Sequence, residues 1–236
     1  MRVPRLVLTC EHGGNRIPPR YAACFQGPRG VLASHAGFDL GALDLARRLA
    51  RRFDVTLYAA TVSRLLVDLN RSPGHPRLLS AHVARLDPDE KNRILERYYL
   101  PYRGRIEESV RHSLERGEAV LHVAVHSFVP RLNGTTRRAD VGLLYDPSRR
   151  GERRLARSWA QVLRENAPFL RVRLNYPYRG TADGLTTFLR RRFGLAQYRG
   201  IELEVNQKHL TTTAAKRRMV QRAIGDSLAH VLQCSG

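Results

Sequence analysis

The segment AVLHVAVHSF, from Ala119 to Phe128, is almost continuously apolar and rich in valine. Runs of this kind are typical of strands that are covered on both faces, as in the middle of a parallel sheet. We therefore predict a central buried strand here. His126 and Ser127 stand at its carboxyl end, which is where functional residues gather in open α/β sheets.

Strand-like and helix-like segments alternate on both sides of this run. Apolar residues at helical spacing predict helices over Phe38–Phe53, Asp87–Gly117, Arg153–Asn166, Gly184–Gly194 and Thr211–Gln233, with a kink or break of the second helix at Pro101. The further predicted strands are LVLTC (6–10), VTLYAATV (55–62), LLVDLN (65–70), DVGLLYD (140–146), RVRLNYP (171–177) and GIELEVN (200–206). The alternation predicts an α/β fold, a three-layer sandwich around a mixed, largely parallel sheet.

Length and hydropathy narrow the class of protein. The 236 residues suit one domain over 1–236, and 42% hydrophobic residues is a globular value. No apolar run reaches the ~18 residues of a membrane span. The start, MRVPRLVLTC, leads directly into Glu11 and His12 and is interpreted as a first strand rather than a signal peptide. A cytoplasmic protein without a membrane partner is expected.

The net charge of +20 raises the question of a nucleic-acid partner. Only Lys91, Lys208 and Lys216 are lysines among the 41 basic residues, and the arginines are spread over the whole chain without a basic tail. A nucleic-acid partner is therefore not expected. A positive surface would still attract small anionic substrates. The sequence does not indicate an oligomeric state.

The stretch VLTCEHGGNRIPPRY, from Val7 to Tyr21, places Cys10, Glu11, His12 and Asn15 around two glycines. His12 follows one predicted strand and His126 lies at the end of another, so the two imidazoles could bind one metal ion. Asn15, three residues after His12, has the spacing of a third ligand. Two packed structural histidines are the more common outcome for such a pair. The stretch lacks the spacing of a phosphate-binding loop, and Cys10 is expected to be a packed residue.

Glu204 and Arg64 are the other candidates for chemistry. Glu204 alternates with Ile201, Leu203 and Val205, in phase with Glu202. Glu202 and Glu204 could lie on an exposed edge strand of the sheet. Alternatively, Glu204 could be a general base that faces a metal-bound water. Arg64 could stabilise the negative charge that develops on a carbonyl oxygen, or it could be a solvated surface arginine.

Six segments of the chain resemble the N-formylglutamate amidohydrolase family, in the same order. They are TCEHGGNRIPPRY, HAGFDLGALDLARRLA, SRLLVDLNR, AVHSFVPRLNGTTRRADVGLLYD, RLNYPYRG and IELEVNQ. The resemblance runs from about Val7 to Leu210. It extends, more distantly, to zinc carboxypeptidases and aspartoacylase. It implies a zinc-exopeptidase-like (phosphorylase/hydrolase-like) sandwich that hydrolyses the amide of a small N-acyl amino acid.

The resemblance also implies a metal site, with Zn²⁺ as the expected ion. His12 and His126 match its histidine ligands, and Asn15 stands where the family plan has a glutamate. The residues that could complete the ligand set instead are Glu11, His35 and Asp39.

The same resemblance assigns roles around the metal. Asn70 and Arg71 match the pair that holds a substrate carboxylate, and Arg137 resembles an arginine that grips a second one. Arg64 matches the arginine that stabilises the oxyanion. Glu204 matches the general base that activates water and then protonates the leaving amine. A peptide carboxypeptidase or deacylase, or an inactive anion- or nucleic-acid-binding homologue, are the alternatives.

Overall fold

The computed structural model describes residues 3–26, 30–195 and 197–234. Its strands are β1 (Arg5–Cys10), β2 (Leu57–Ala59), β3 (Val120–Phe128), β4 (Arg131–Leu132), β5 (Thr135–Thr136), β6 (Val141–Leu144), β7 (Val172–Leu174) and β8 (Tyr198–Asn206). Its α-helices are α1 (Ala42–Phe53), α2 (Pro88–Ile94), α3 (Leu100–Glu115), α4 (Arg150–Asn166), α5 (Leu185–Arg192) and α6 (Ala214–Gln233). Short 3₁₀ helices cover Pro19–Phe25, Ala81–Val83 and Gln207–His209.

The main sheet has the strand order β2-β1-β3-β8-β6-β7. The strands β2, β1, β3 and β8 are parallel. The strand β6 pairs antiparallel with β8, and β7 pairs parallel with β6. Every residue of β3 is buried, so the prediction of a central covered strand is confirmed. The register between β3 and β8 pairs His126 with Glu204, which brings two predicted site residues side by side.

Helices cover both faces of this sheet, as the three-layer prediction requires. On one face, α1, α4 and α6 pack a core that includes Leu45, Trp159 and Ile224. The Trp159 indole donates a hydrogen bond to Ser227 Oγ at 2.9 Å, which satisfies the one polar atom of that large buried ring. On the other face, α3, α5 and the chain after β2 form a second core. None of the helices in the described ranges has the length and apolar character of a membrane span.

The segment LLVDLN was predicted to be a strand, and this prediction is wrong. Residues 65–70 form turns, and their apolar side chains Leu66, Val67 and Leu69 are buried in the second core without pairing to a strand. The turn begins where Leu66 N–H donates to Ser63 O at 2.9 Å. Local turn bonds and burial thus override an apolar pattern that is compatible with either structure.

The long predicted helix is interrupted ahead of Pro101, as expected. A π-helical turn, Leu95–Tyr99, lies between α2 and α3. Proline has no N–H to give to the carbonyl four residues earlier, and a local widening of the helix accommodates it. Thr213 caps the last helix, because its Oγ1 accepts a hydrogen bond from Lys216 N–H.

Candidate active site

A cavity of about 320 Å³ opens at the carboxyl ends of β1, β3 and β8. His12 follows β1, His126 lies near the end of β3, and Glu204 lies near the end of β8, and all three line the cavity. These side chains are buried, with the residues between 2% and 5% exposed. The structure therefore brings together side chains that are separated by almost two hundred residues in the sequence.

His12, Asp39 and His126 form a compact buried cluster at the base of the cavity. One possible ligand atom from each lies within 4.8 Å of the others. His126 Nδ1 is 2.9 Å from Asp39 Oδ2, and His12 Nδ1 is 3.5 Å from the same oxygen. His12 Nδ1 is buried and has no hydrogen-bond partner. Two imidazoles and one carboxylate are a donor set that suits a divalent metal such as zinc.

The far nitrogen of each imidazole also meets a carboxylate. His12 Nε2 is 2.7 Å from Asp68 Oδ1, and His126 Nε2 makes an ion-pair contact of 3.0 Å with Glu11 Oε2. A carboxylate in this position keeps the proton on Nε2, which leaves Nδ1 free to act as a ligand. Glu11 is held in turn by Tyr102, whose hydroxyl donates to Oε1 at 3.2 Å.

The pKa values reflect this concentration of negative charge. Burial would raise the pKa of Asp39 and Asp68, but the histidines and Arg64 outweigh it and hold both pKa values well below the usual range. Burial would likewise lower the pKa of His126, yet its contacts with Asp39 and Glu11 raise that pKa well above the usual value. Arg64 and the imidazoles thus offset the cost of burying these carboxylates.

Close backbone packing explains the two glycines after His12. A Cβ at Gly13 would lie 2.8 Å from Ala60 O, and one at Gly14 would lie 2.6 Å from Thr61 O. Only glycine lets the chain after β1 run this close to the chain after β2. Asp39 is fixed separately, since its N–H donates to His12 O at 2.9 Å and its Oδ2 accepts from Ser127 N–H at 3.3 Å.

Glu204 projects into the cavity beside the cluster. Its Oε2 is buried without a hydrogen-bond partner, and burial raises its pKa to about 7, with His126 opposing the shift and Asp39 and Glu202 adding to it. Glu202 lines the same cavity and accepts a hydrogen bond from Thr186 Oγ1 at 2.5 Å. The alternative of an exposed edge pair is wrong, because β8 lies between β3 and β6 and both glutamates are buried.

Arg64 connects the carboxylates of the cluster. Its Nη1 donates to Asp39 Oδ1 at 3.2 Å and its Nη2 donates to Asp68 Oδ2 at 3.1 Å. These bonds use two of the five N–H donors of a guanidinium. The side chain is 26% exposed and lines the cavity, so the remaining donors are available to a ligand.

Asn70 and Arg71 also line the cavity, next to the N-terminus of α5. Asn70 Oδ1 accepts from Leu185 N–H at 2.7 Å, and Arg71 Nη1 donates to Asp183 O at 2.9 Å. Arg71 Nε is 3.8 Å from Asp68 Oδ2, which places this guanidinium close to the histidine cluster.

Three predicted positions lie elsewhere. Asn15 and His35 are exposed and lie outside the cavity lining. Asn15 directly precedes the bridge between Arg16 and Val62. Asp39, one of the predicted alternatives, is the residue that stands beside both imidazoles. Arg137 does not line the cavity either.

Arg137 supports the cavity wall instead. Its guanidinium lies over the rings of Phe128 and Tyr178, 5.8 and 5.0 Å from their centroids, and Nη1 donates to Tyr178 Oη at 3.1 Å. Cys10 is buried in the first core, which agrees with the packing role expected for it. The hydroxyl of Ser127, considered above as a strand-end group, donates to Leu40 O at 2.9 Å.

Further lining residues were missed in the sequence: Arg77, Tyr178, Arg179, Asp183 and, as a cavity residue, Glu202. Glu202 shares the phase of Glu204, and that phase was the available signal. Arg77, Arg179 and Asp183 lie in loops, where no periodic pattern distinguishes them from other polar residues.

The fold and the cavity together define an α/β protein with an imidazole–carboxylate cluster and a buried glutamate at the carboxyl ends of its central strands. Residues 4–211 match the model of the N-formylglutamate amidohydrolase family, and the chain belongs to that family. The family name describes the hydrolysis of an amide C–N bond. The resemblance found in the sequence is thereby confirmed.

Two solved structures share the fold. The gene product Atu2144 from Agrobacterium tumefaciens is 28% identical, with a TM-score of 0.78, over 97% of this chain and 92% of that one. N-formylglutamate amidohydrolase from Ralstonia eutropha JMP134 is 22% identical, with a TM-score of 0.73, over 99% and 94% of the two chains. No functionally curated protein matches the chain significantly.

Proposed function

We propose that the protein is a metal-dependent amidohydrolase that cleaves the amide bond of a small N-acyl amino acid of the N-formylglutamate type. The products would be a carboxylate, such as formate, and the free amino acid. Family membership supports hydrolysis of a C–N bond. The observation that carries the proposal is the convergence of two imidazole Nδ1 atoms and Asp39 beside the unpartnered carboxylate of Glu204.

The donors fit a metal ion, and Zn²⁺ is the ion we propose. His12 Nδ1, His126 Nδ1 and an oxygen of Asp39 would hold it, with Asp68 and Glu11 behind the imidazoles. When bound, the ion would supply Lewis-acid chemistry, which polarises a substrate carbonyl and makes a water molecule more acidic.

Glu204 would move the protons of the reaction. A carboxyl group with a pKa of about 7 is partly ionised at neutral pH, so it can take a proton from water and later give it to the leaving amine. Its Oε2 has no competing hydrogen bond that would have to break first. Burial in the cavity wall keeps that oxygen away from bulk water.

The arginines would bind and orient a small anionic substrate. Arg71, with Asn70 beside it, would take the α-carboxylate, because that group is separated from the amide nitrogen by one carbon and must lie near the cluster, and Arg71 Nε is 3.8 Å from Asp68 Oδ2. Arg64 would stabilise the negative charge on the carbonyl oxygen with the donors that Asp39 and Asp68 leave free. Fixed donors around the substrate supply orientation as well as charge.

The test combines metal analysis with a hydrolysis screen of N-formyl, N-acetyl and N-succinyl amino acids, with and without a chelator. We expect near-stoichiometric metal, turnover of an N-formyl amino acid, and loss of turnover on chelation. Glu204→Gln should reduce kcat about 10²- to 10⁴-fold, whereas Glu115→Gln, on the exposed end of α3, should not change it. A metal-free protein that releases no amine from any substrate would contradict the proposal.

A further inference from the structure

Another buried histidine, His122, lies four residues before His126 in β3, on the same face of the sheet. It is fully buried, as are Thr9 of β1 and Tyr198 of β8. His122 Nε2 is 2.8 Å from Thr9 Oγ1, and His122 Nδ1 is 2.7 Å from Tyr198 Oη. Three polar side chains are thus bonded to one another across three neighbouring strands, outside the cavity lining. We call Thr9, His122 and Tyr198 the buried polar chain.

The buried polar chain reaches the candidate metal centre through Glu11. Burial would raise the pKa of Glu11, but the contact with His126 and a hydrogen bond with Thr9 lower it to about 2. Glu11 Oε2 is the atom that lies 3.0 Å from His126 Nε2, and Oε1 accepts from the Tyr102 hydroxyl. Thr9 is therefore one of the groups that hold this carboxylate behind His126.

The carboxylate fixes the position of every hydrogen in the buried polar chain. An ionised carboxylate only accepts hydrogen bonds, so the Thr9 hydroxyl donates to Glu11 and must accept from His122 Nε2–H. Burial lowers the pKa of His122 to about 4 although Glu11 opposes the shift, so the ring is neutral at neutral pH. A neutral ring with its hydrogen on Nε2 has a bare Nδ1, which accepts from the Tyr198 hydroxyl. All the donors thus point toward Glu11.

The sequence leaves the space that this arrangement needs. Gly200 is the β8 residue paired with His122, and a Cβ at Gly200 would lie 2.9 Å from Tyr198 Oη. A side chain at position 200 would therefore displace the phenol hydroxyl from the imidazole. Because Tyr198 is fully buried, this end of the chain has no contact with solvent, and the chain orients groups rather than carrying protons to water.

We propose that the buried polar chain positions Glu11 behind His126 and thereby raises the affinity of the candidate site for its metal ion. The inference rests on the proposed metal site and deepens it. Glu11 keeps the proton on His126 Nε2 only while its carboxylate faces that nitrogen, and Thr9 restrains the carboxylate in this orientation. His122 restrains Thr9 in turn, because its Nε2–H leaves the hydroxyl hydrogen directed to Glu11. The members of the chain are positioning residues, since they touch neither the cavity nor a candidate ligand atom.

Substitutions that keep the shape of the side chain test this role. Thr9→Val and Tyr198→Phe each remove one hydroxyl. We expect the dissociation constant for Zn²⁺ to rise about 3- to 10-fold in Thr9→Val, the effect of one net hydrogen bond, and about 2- to 3-fold in Tyr198→Phe, which acts through two further bonds. Competition with a chromophoric chelator measures both. Thr9→Ser keeps the hydroxyl and should bind Zn²⁺ as tightly as the unmodified protein.

A double variant distinguishes a connected chain from two separate losses of packing. If Tyr198 acts through Thr9, Tyr198→Phe should have no further effect on metal affinity in a Thr9→Val protein. Ser227→Ala is the control, because it removes a fully buried hydroxyl beside Trp159, on the face of the sheet that α6 covers. It should lower stability in urea and leave the dissociation constant unchanged. Additive effects of Thr9→Val and Tyr198→Phe, or an unchanged constant in Thr9→Val, would overturn the inference.

The tautomer of His122 is tested without metal. Two-bond ¹H–¹⁵N spectra of the metal-free protein with labelled histidine, assigned with His122→Gln, should show a neutral ring that carries its hydrogen on Nε2. A hydrogen on Nδ1 would overturn the inference and leave the proposed function untouched. Zinc binding that none of the substitutions changes would do the same. An unmodified protein that binds no metal would contradict the proposed function and the inference together.

Discussion

His126 has a carboxylate at each ring nitrogen, Asp39 at Nδ1 and Glu11 at Nε2. Glu11 therefore sets the tautomer and the basicity of the imidazole without joining the candidate metal ligands. We expect Glu11→Gln to weaken metal affinity about 10- to 100-fold, because the neutral amide no longer favours a proton on Nε2. Competition with a chromophoric chelator measures the dissociation constant directly.

A matched carboxylate outside the cavity provides the comparison. Asp226→Asn removes an exposed ion pair with Arg52 and should leave metal affinity unchanged. If Glu11→Gln binds metal as tightly as the unmodified protein, Glu11 is a buried structural carboxylate and not a positioning residue.

Glu204 provides the pH prediction, since its pKa lies at about 7 and only its ionised form can accept a proton. The value of kcat/KM should therefore fall as the pH drops below about 7. A bound cation favours the ionised carboxylate, so the acidic limb of the metal-loaded enzyme should lie at or below this pH. A pH profile of kcat/KM from 5 to 9 measures it.

Glu202 tests the cause of this shift. Its negative charge adds to the raised pKa of Glu204, so Glu202→Gln should move the acidic limb to lower pH. A limb that stays in place in Glu202→Gln would show that burial alone sets the pKa of Glu204. A limb that moves to higher pH would contradict the electrostatic assignment.

Asp140 connects the starts of β6 and β7 with the 3₁₀ helix after β8. Its Oδ2 accepts from Arg171 N–H at 2.7 Å, and its Oδ1 contacts Lys208 Nζ at 2.5 Å and His209 Nε2 at 2.8 Å. Burial would raise the pKa of Asp140, but Lys208 and His209 outweigh it and lower that pKa to about 2.

A carboxyl group whose pKa is lower in the folded protein than in the unfolded chain stabilises the fold at any pH above its unfolded pKa. This contribution is lost as the pH falls from about 4, the value in an unfolded chain, toward about 2. We expect Asp140→Asn to lower the free energy of unfolding by about 1–3 kcal/mol at pH 7 and to flatten its dependence on pH in that acidic range. Urea titrations at several pH values measure both effects, and an equally steep dependence in the variant would contradict them.

The order of strands and helices was largely predictable because the elements that form it are periodic. The covered strand β3 and the amphipathic helices α1 and α4 agree with their apolar patterns. Residues 65–70 were not predictable in this way, because an apolar run of that length fits a buried turn as well as a strand. The turn bond from Leu66 N–H to Ser63 O is local, but the burial of Leu66 and Val67 in the second core that favours it depends on the tertiary fold.

The same distinction applies to the site. His12, His126 and Glu204 stand at strand ends, where topology alone predicts that they meet, and they line one cavity. The position of Asp39 depends on the loop ahead of α1, where Asp39 N–H donates to His12 O. The position of Arg179 depends on the hydrogen bond from Gly180 N–H to Asn175 Oδ1. Loop geometry of this kind follows from packing, and a single sequence carries no periodic signal for it.

The candidate metal centre joins parts of the chain that are distant in sequence, since His12, Asp39 and His126 come from the ends of β1 and β3 and from the loop ahead of α1. An ion that binds only the folded chain stabilises it by mass action. At a free concentration of one hundred times the dissociation constant this amounts to about 2.7 kcal/mol, or about 5–10 °C in Tm for a chain of this size. We expect added Zn²⁺ to raise Tm by that amount and a chelator to reverse it.

The metal-free protein should remain folded, because Arg64 donates hydrogen bonds to Asp39 and Asp68, and His126 contacts Asp39 and Glu11, when no cation is bound. Circular dichroism melts at matched ionic strength, with zinc and with chelator, give the two Tm values. A variant that keeps the carboxylates but lacks one donor, His126→Gln, should lose the zinc-dependent part of Tm, and His230→Gln, near the exposed end of α6, should retain it. A Tm that is independent of zinc in the unmodified protein, or a shift that survives in His126→Gln, would place the ion outside this cluster.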